Sequence, residues 1–395
     1  MPLRFLTAGE SHGPRLTAIL DGMVAGLPLT PADLAHDLAR RQKGFGRGGR
    51  MLLEQDRARI VGGVMAGQTT GGPIALTIEN LDWKNWRDKA IDPMTIPRPG
   101  HADLTGAIKY GYRDLRLSLE RASARETAAR VAVGAVCKRY LEQFGVRIGG
   151  YVTMIGGVDT PDSDEAPDYE VRFEAAEGSE VRCFDPDTSE RMRQTIRDAI
   201  KAKDTLGGIF EVVALGLPPG LGSHVQWDRR LTGRLMGALG SIQAMKGVEI
   251  GRAFRQAGWR GTEVHDEITL GEDAQTLTRR SNRAGGLEGG ITTGQPVVAR
   301  VAMKPISTTL TPLGSVDLAS GKPDTTNYER SDFCAVPRAV VVGEAVVALV
   351  LADALIEKLG GDSMDEQRPR FEALRKGRLD ELPMDGAPWN FGYDA

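Results

Sequence analysis

The stretch "AVVVGEAVVALVLADALI", Ala339 to Ile356, restricts the fold of this chain more than any other. It is apolar around its whole circumference, so a helix here needs lipid or protein on every side. It also carries Glu344 and Asp353. An acid near the centre of a membrane span costs about 2.5–3.5 kcal/mol even on the lenient insertion scale. The better reading is a helix sunk in the core of a large soluble fold, with no membrane involved.

A second pattern suggests how the chain is organised. "GQTTGGPIALTI", from Gly67, and "GITTGQPVVARV", from Gly290, share T-T-G-x-P followed by an apolar run. Each is followed, after a charged loop, by a long apolar helix ending at glycine: "RVAVGAVCKRYLEQFG" first, "VVVGEAVVALVLADALIEKLG" second. The same order twice points to two related βα halves folded together. Strands and helices interleave in both, giving an α/β or α+β class. Between the halves, "VDTPDSDEAPDYEVRFEAAEGSEVRCFDPDTSE" reads as acidic, turn-rich surface. "DTSERMRQTIRDAIKAKD" reads as an amphipathic helix and "GGIFEVVALGLPPGLG" as a strand running into a turn. The tail after Met364 is polar. No low-complexity linker divides the chain, so residues 1–395 are expected to form one composite domain.

"RRQKGFGRGGRM", Arg40 to Met51, spells G-x-G-x-x-G with Gly44, Gly46 and Gly49. A dinucleotide loop needs a strand leading in and a helix starting on the glycines. Here Thr30 is a candidate N-cap, Pro31 sits at N1, and Leu34, Ala35, Leu38 and Ala39 recur at helical spacing. A helix runs into the glycines and a strand, from "RMLLEQDRARIVGGV", leaves them. That is the wrong order for the Rossmann unit. What remains is a basic loop with Arg40, Arg41, Arg47 and Arg50, solvated or closing on a multiply anionic ligand.

The net charge of −3 argues against a general polyanion-binding surface. Even so, 38 of the 50 basic residues are arginine, a rich supply of planar anion binders. Cys137, Cys183 and Cys334 are scattered and suggest neither a disulfide framework nor a zinc site. The first residues hold no apolar signal segment, so a cytoplasmic protein is expected.

Among five histidines, His12 in "AGESHG" and His101 in "RPGHAD" lie in Gly-flanked polar turns, where acid–base work is plausible. His36 sits in the first helix pattern, and His224 and His265 lie without a partner signal. No H-x-x-x-H pair suggests a metal. Anion-binding groups cluster in "RPGH" (Arg98), "LERASARETAAR" (Arg121, Ser123, Arg125), "MKPISTT" (Lys304, Ser307, Thr308) and "YERSDFC" (Arg330, Asp332). Spacing alone does not bring them together.

Taken in order, "AGESHG", "RRQKGFGRGGRM", "RPGHADLTGAIKYG", "RASARETAARVAVGA", "SIQAMKGVEIG", "NRAGGLEGGITTG", "MKPIST" and "RSDFCAVPRA" resemble the chorismate synthase family. The resemblance runs from Phe5 to about Leu359. It implies a lyase of aromatic amino acid biosynthesis (the shikimate pathway) that converts 5-enolpyruvylshikimate 3-phosphate to chorismate. Phosphate and a C6 proton leave in a 1,4-anti sense, with reduced FMN required and no net redox change. The implied fold is a β-α-β sandwich, helices between two antiparallel sheets, assembled as a homotetramer.

Carried over by position, the resemblance makes Arg41, Arg47, Arg50, Arg98, Arg125 and Arg330 the substrate clamp. The FMN contacts it implies are Arg121, Ala122, Ser123, Gln243, Ala244, Gly289, Lys304, Pro305, Ile306, Ser307, Thr308 and Arg330. His101 would assist phosphate departure, and His12 would set the flavin's protonation. Asp332 would join the relay that removes the C6 proton, supported by Ser11 and Ser123. The resemblance also offers Arg41 and Arg47 as NADP contacts. These apply only where NADPH reduces the flavin on the same chain; otherwise an external flavin reductase is the partner. A flavin- or NADP-dependent oxidoreductase would use similar contacts but consume reductant. An RNA-binding module is disfavoured by the 6% aromatic content and the negative net charge.

Overall fold

The computed structural model describes residues 2–47, 56–161, 167–329 and 331–392. Two of the expected site residues, Arg50 and Arg330, lie outside the described residues, as does the end of the glycine-rich loop.

The first half opens with β1 (Arg4–Ala8) and β2 (Arg15–Asp21), then α1 (Pro31–Gln42) and β3 (Ala58–Gly62). A small hairpin of β4 (Val64–Met65) and β5 (Gln68–Thr69) leads to β6 (Ile74–Glu79). Helices α2 (Asp103–Tyr110), α3 (Arg116–Ala122) and α4 (Thr127–Glu142) follow. The long strands form an antiparallel sheet in the order β1-β2-β6-β3.

The second half begins with β7 (Arg147–Ile155), β8 (Val158–Asp159), α5 (Tyr169–Gly178) and α6 (Pro186–Lys201). It continues through β9 (Gly208–Leu215), α7 (Leu231–Gly240) and β10 (Met245–Ile250). Short helices α8 (Ala253–Gln256) and α9 (Gly261–Val264) precede two hairpins. These pair β11 (Ile268–Leu270) with β12 (Leu277–Arg279), and β13 (Leu287–Glu288) with β14 (Ile291–Thr292). Strand β15 (Val297–Met303) and the hairpin of β16 (Gly314–Asp317) and β17 (Lys322–Thr325) lead to α10 (Val336–Leu359) and α11 (Met364–Glu372). The second sheet is antiparallel, in the order β10-β15-β9-β7-β8.

The two sheets share one topology: β3-β6-β2-β1 corresponds to β10-β15-β9-β7. Helices α1 and α7 follow β2 and β9, and α4 and α10 close the halves. Helix α4 lies on the first sheet and α10 on the second, and the two pack together between them. They meet closely at Gly134, where a Cβ would fall 2.3 Å from that of Ala345. Gly343 likewise seats α10 on Phe210 of β9, 2.7 Å from a hypothetical Cβ. One apolar core runs through both halves, from Leu16, Leu20 and Leu76 to Val340, Leu351 and Phe210.

Helix α10 is buried along most of its length, which makes it a core helix. Its acids Glu344 and Asp353 are both paired. Glu344, 0% exposed, accepts from Arg40 at 2.6 and 2.9 Å and from Lys138 at 2.6 Å. Asp353 accepts from the Leu3 N–H at 2.6 Å and Arg234 at 2.5 Å.

The start of α1 falls at the expected cap. The Thr30 N–H and hydroxyl both donate to Asp33 Oδ2 at 2.7 Å, with Pro31 in the first turn. Beyond Gln42 the chain turns through Gly44 and Gly46, both at positive φ. The Gly46 carbonyl accepts from the Phe333 N–H at 2.9 Å, so this loop docks beside Asp332. No strand enters it, and α1 ends on the glycines rather than starting there.

One expectation needs correction. The acidic stretch after Val158 is not simply exposed turns: α5 covers the outer face of the second sheet, where Phe173 and Phe184 pack with Tyr151, Val213 and Val298. Phe173 and Ala176 turn to the sheet while Val171 and Ala175 stay exposed, so no clean apolar stripe announces the helix. The polar tail is also partly core. Gln367 of α11 is buried and accepts from the Tyr140 hydroxyl at 2.7 Å, and the Phe371 ring meets that of Phe144 at 4.9 Å, tilted by 48°.

Candidate active site

Loops from both halves enclose a cavity of about 720 Å³, within the usual range for small-molecule sites. The β1–β2 turn supplies Ser11 and His12, and the segment before α2 supplies Arg98, Gly100 and His101. The end of α3 supplies Ala122 and Ser123, and the α7–β10 turn supplies Gln243 and Ala244. Lys304, Ile306, Ser307 and Thr308 follow β15, and Asp332 precedes α10. Thus most of the residues singled out in the sequence meet at one place.

Each histidine is held by a carboxylate. His12 Nδ1 lies 2.7 Å from Glu120 Oε1, and the His12 backbone N–H donates to Glu120 Oε2 at 2.7 Å. The His12 ring also lies 4.1 Å from that of Trp86, whose indole N–H donates to Asp82 at 2.9 Å. Burial opposes ionisation of Glu120, but the hydrogen bonds and charge of His12 outweigh it and hold the carboxyl below its ordinary value.

His101 Nδ1 lies 2.6 Å from Asp103 Oδ1. Asp103 is fully buried and accepts from Arg98 Nε at 2.8 Å, Nη2 at 3.0 Å and the Arg98 N–H at 3.1 Å. Burial again works against its ionisation, but His101 and Arg98 overcome it and hold the carboxyl well below the carboxylate range. With Nδ1 turned to Asp103, Nε2 is the ring nitrogen left for a ligand. Arg98 also donates to Thr308 Oγ1 at 3.1 Å, so its guanidinium is fixed rather than free to swing.

The loop after β15 is fastened to the same turn. Lys304 Nζ and Ser307 Oγ both donate to the Gly100 carbonyl, the latter at 2.9 Å. Gly100, at φ 75°, leaves the room they need, since a Cβ would stand 3.2 Å from Lys304 Nζ. Opposite, the Ser123 hydroxyl donates to Ser11 Oγ at 3.1 Å. Ala244 adopts φ 68°, a left-handed conformation uncommon outside glycine, and its carbonyl accepts from the Lys304 N–H at 3.0 Å. Gln243 Nε2 donates to Glu126 at 3.1 Å, while its buried Oε1 has no hydrogen-bond partner among the described residues. Asp332 pairs with Arg338 Nη1 at 2.6 Å.

Other expected residues stand off the cavity. Arg41 and Arg125 are buried on either side of Asp56, at 3.3 and 2.5 Å, behind the wall formed by Ser123 and Ala124. Arg41 also donates to the Ala124 carbonyl at 3.0 Å. Arg47 is exposed and donates to the Gln42 carbonyl at 2.9 Å. Arg121 lines a neighbouring recess with Thr7 and Gln243, donating to the Thr7 carbonyl at 2.9 Å. Pro305 is exposed within its loop. Gly289 sits in the β13–β14 turn, its hypothetical Cβ 3.6 Å from that of His224.

Sequence reasoning missed Glu120, Asp103, Trp86, Arg116 and Lys246. A signal existed for the first two: Asp103 lies two residues after His101, and Glu120 directly precedes the Arg-Ala-Ser run. Trp86 and Lys246 carried none. The lining cations Lys89, Arg98, Arg116, Lys246 and Lys304 outnumber Glu329 and Asp332, so the cavity favours anions although the chain is slightly acidic.

Comparison with known proteins bears on the whole chain. A family model described as Chorismate synthase matches residues 3–356. Chorismate synthase of Aquifex aeolicus (strain VF5) is 54% identical over 385 residues, covering 94% of this chain and 96% of that protein. That of Thermobifida fusca (strain YX) is 52% identical, covering 96% and 99%. A crystal structure of chorismate synthase superposes with a TM-score of 0.78 at 48% identity, covering 94% of this chain and 97% of that one. Agreement of this length leaves no competing assignment: the chain belongs to the chorismate synthase family.

Proposed function

We infer that 5-enolpyruvylshikimate 3-phosphate is converted to chorismate in this cavity. Phosphate and the C6 proton are lost in a 1,4-anti sense, with reduced FMN bound alongside and no net use of reductant. The observation that carries the reading is the convergence of His12 and His101, each with a carboxylate on Nδ1, in one cation-rich cavity.

The walls suit a flavin as well as a substrate. Gln243 Oε1 is an acceptor in need of a donor, and the left-handed turn at Ala244 leaves a narrow backbone edge against the cavity. When bound, reduced FMN supplies electron density that eases departure of the allylic phosphate. The rest is done by the chain. His101 delivers a proton from Nε2 to the leaving phosphate while Asp103 holds the proton on Nδ1. Preorganised cations, Lys304 among them, meet the charge that develops there. Asp332, kept beside Arg338, belongs to the relay that takes the C6 proton, with Ser11 and Ser123 as its hydroxyl support. A substrate anion reaching Arg41 or Arg125 competes with Asp56 for them.

The reading includes a homotetramer. Gly289 stands off the cavity, as a residue contributed to a neighbour's site would. It also includes a cytoplasmic location, where the buried free thiols of Cys137, Cys183 and Cys334 stay reduced.

The test is anaerobic turnover with photoreduced FMN, with and without NADPH. Chorismate formed at catalytic flavin with no loss of reductant supports the reading. Stoichiometric oxidation of reductant per turnover would move the chain to the oxidoreductases. Turnover driven by NADPH from oxidised FMN assigns flavin reduction to this chain, and its absence calls for an external reductase.

A further inference from the structure

We propose that Glu120 is the positioning residue of His12, fixing the proton on Nδ1 and turning Nε2 to the cavity. This rests on the reading that His12 acts there.

Glu120 binds His12 with both oxygens, one to the ring and one to the backbone N–H, each at 2.7 Å. That grip sets both the ring orientation and the β1–β2 turn that carries it. Helix α3 delivers the carboxylate from the opposite wall, and the Ser11 N–H donates to the Glu120 carbonyl at 3.2 Å. Turn and helix end are thus tied at two adjacent residues. Trp86 then closes one face of the ring, leaving little freedom for rotation.

The two histidine dyads differ in how their carboxylates are compensated. Asp103 is shared with Arg98 through close contacts, so much of its charge is already met. Among the described residues, the arginine paired with Glu120 is Arg116, at a longer 3.9 Å, and Lys89 lies beyond Trp86, 4.9 Å from its ring. Glu120 therefore gives more of its charge to its histidine than Asp103 does. When Nε2 of His12 carries a second proton, Glu120 is the group that balances it.

A mutant cycle tests this. Holoenzyme carrying Glu120→Gln, His12→Ala or both is assayed anaerobically with reduced FMN over a pH series. Glu120→Gln is expected to lower kcat by about 10- to 10³-fold, less than the loss of about 10⁴ known for an orienting carboxylate in a catalytic triad. KM for the substrate is expected to change less than about threefold. In the His12→Ala background the same change is expected to cost less than about threefold, because Glu120 acts through His12. The pH at which kcat declines on the basic side is expected to move toward acid in Glu120→Gln. Equal losses in both backgrounds, or an unmoved pH profile, would overturn the proposal. If His12→Ala alone retains full activity, the functional reading of His12 fails instead. Should Glu120→Gln not fold, Glu120→Asp, which keeps the charge one methylene further back, goes through the same cycle with the same criteria.

Discussion

Thr69 and Thr292 hold the same place in the two halves of the molecule. The Thr69 hydroxyl donates to the Val24 carbonyl at 2.6 Å and accepts from the Leu27 N–H at 3.0 Å. The Thr292 hydroxyl donates to the Pro218 carbonyl at 2.7 Å and accepts from the Leu221 N–H at 2.8 Å. Backbone bonds around them match as well. Thr69 exchanges bonds with Gly26 and Leu27, and Thr292 with Gly220 and Leu221, all at 2.9 Å. The shared T-T-G-x-P motif is therefore a staple that pins the loop after β2 in one half and after β9 in the other.

Thr292→Val keeps the shape of the side chain but leaves a buried carbonyl and a buried N–H without partners. The expected loss is about 1–3 kcal/mol in urea unfolding, with a similar loss for Thr69→Val. Because the sites lie in separate halves, the double variant should come close to the sum.

Gly134→Ala should destabilise the protein by about 1–3 kcal/mol. Alanine is the better helix former by roughly 1 kcal/mol, but its methyl would meet the Cβ, Cα and carbonyl of Ala345 at 2.3, 2.5 and 2.7 Å. Gly237 of α7 is the control, since nothing lies within 4 Å of its hypothetical Cβ. Gly237→Ala should be neutral or stabilising in the same thermal melts.

His101→Ala should lower kcat by roughly 10²–10⁴. Flavin and substrate affinities, measured by fluorescence quenching and equilibrium binding, should hold to within a few-fold. Unimpaired turnover of the folded variant would remove His101 from phosphate departure.

Acid should weaken the helix layer. Burial opposes ionisation of Glu344, Asp37 and Glu177, but Arg40, Lys138 and Arg182 outweigh it, and all three carboxyls titrate below their ordinary values, Glu177 at about 2. Carboxyls depressed by folding contribute stability above their unfolded values of 4.5 and 3.8, and lose it as pH falls through the folded ones. Urea midpoints should therefore drop between pH 5 and pH 3. Glu344→Gln takes the central carboxylate out of this network, leaving Arg40 with Asp37 and Glu177 and Lys138 with Asp37, and should cost about 1–3 kcal/mol at pH 7. The gap to wild type should narrow in acid.

The fold was legible where the chain repeats itself or must hide apolar surface. The capped start of α1, the apolar helices α4 and α10 and the paired T-T-G-x-P turns all declare themselves in local spacing. Helix α5 did not, because Phe173 and Ala176 are its few apolar contacts amid carboxylates, and only the sheet beneath gives them meaning. In the site, His12, His101 and the loop after β15 stood out by residue type. Glu120 and Asp56 did not, since the first depends on His12, 108 residues away, and the second joins Arg41 to Arg125, 69 residues beyond it. No local pattern encodes such a pairing.

The contact of α4 with α10 also bears on how the chain is made. Val336 to Leu359 leaves the ribosome only after the strands of both sheets. Until then the groove at Gly134 has nothing to receive, and the inner face of the second sheet lies bare around Phe210. Vectorial synthesis thus holds an unfinished sandwich with two sticky faces, a form prone to clump or to recruit a chaperone. Closure by α10 is the event that makes the nascent chain safe.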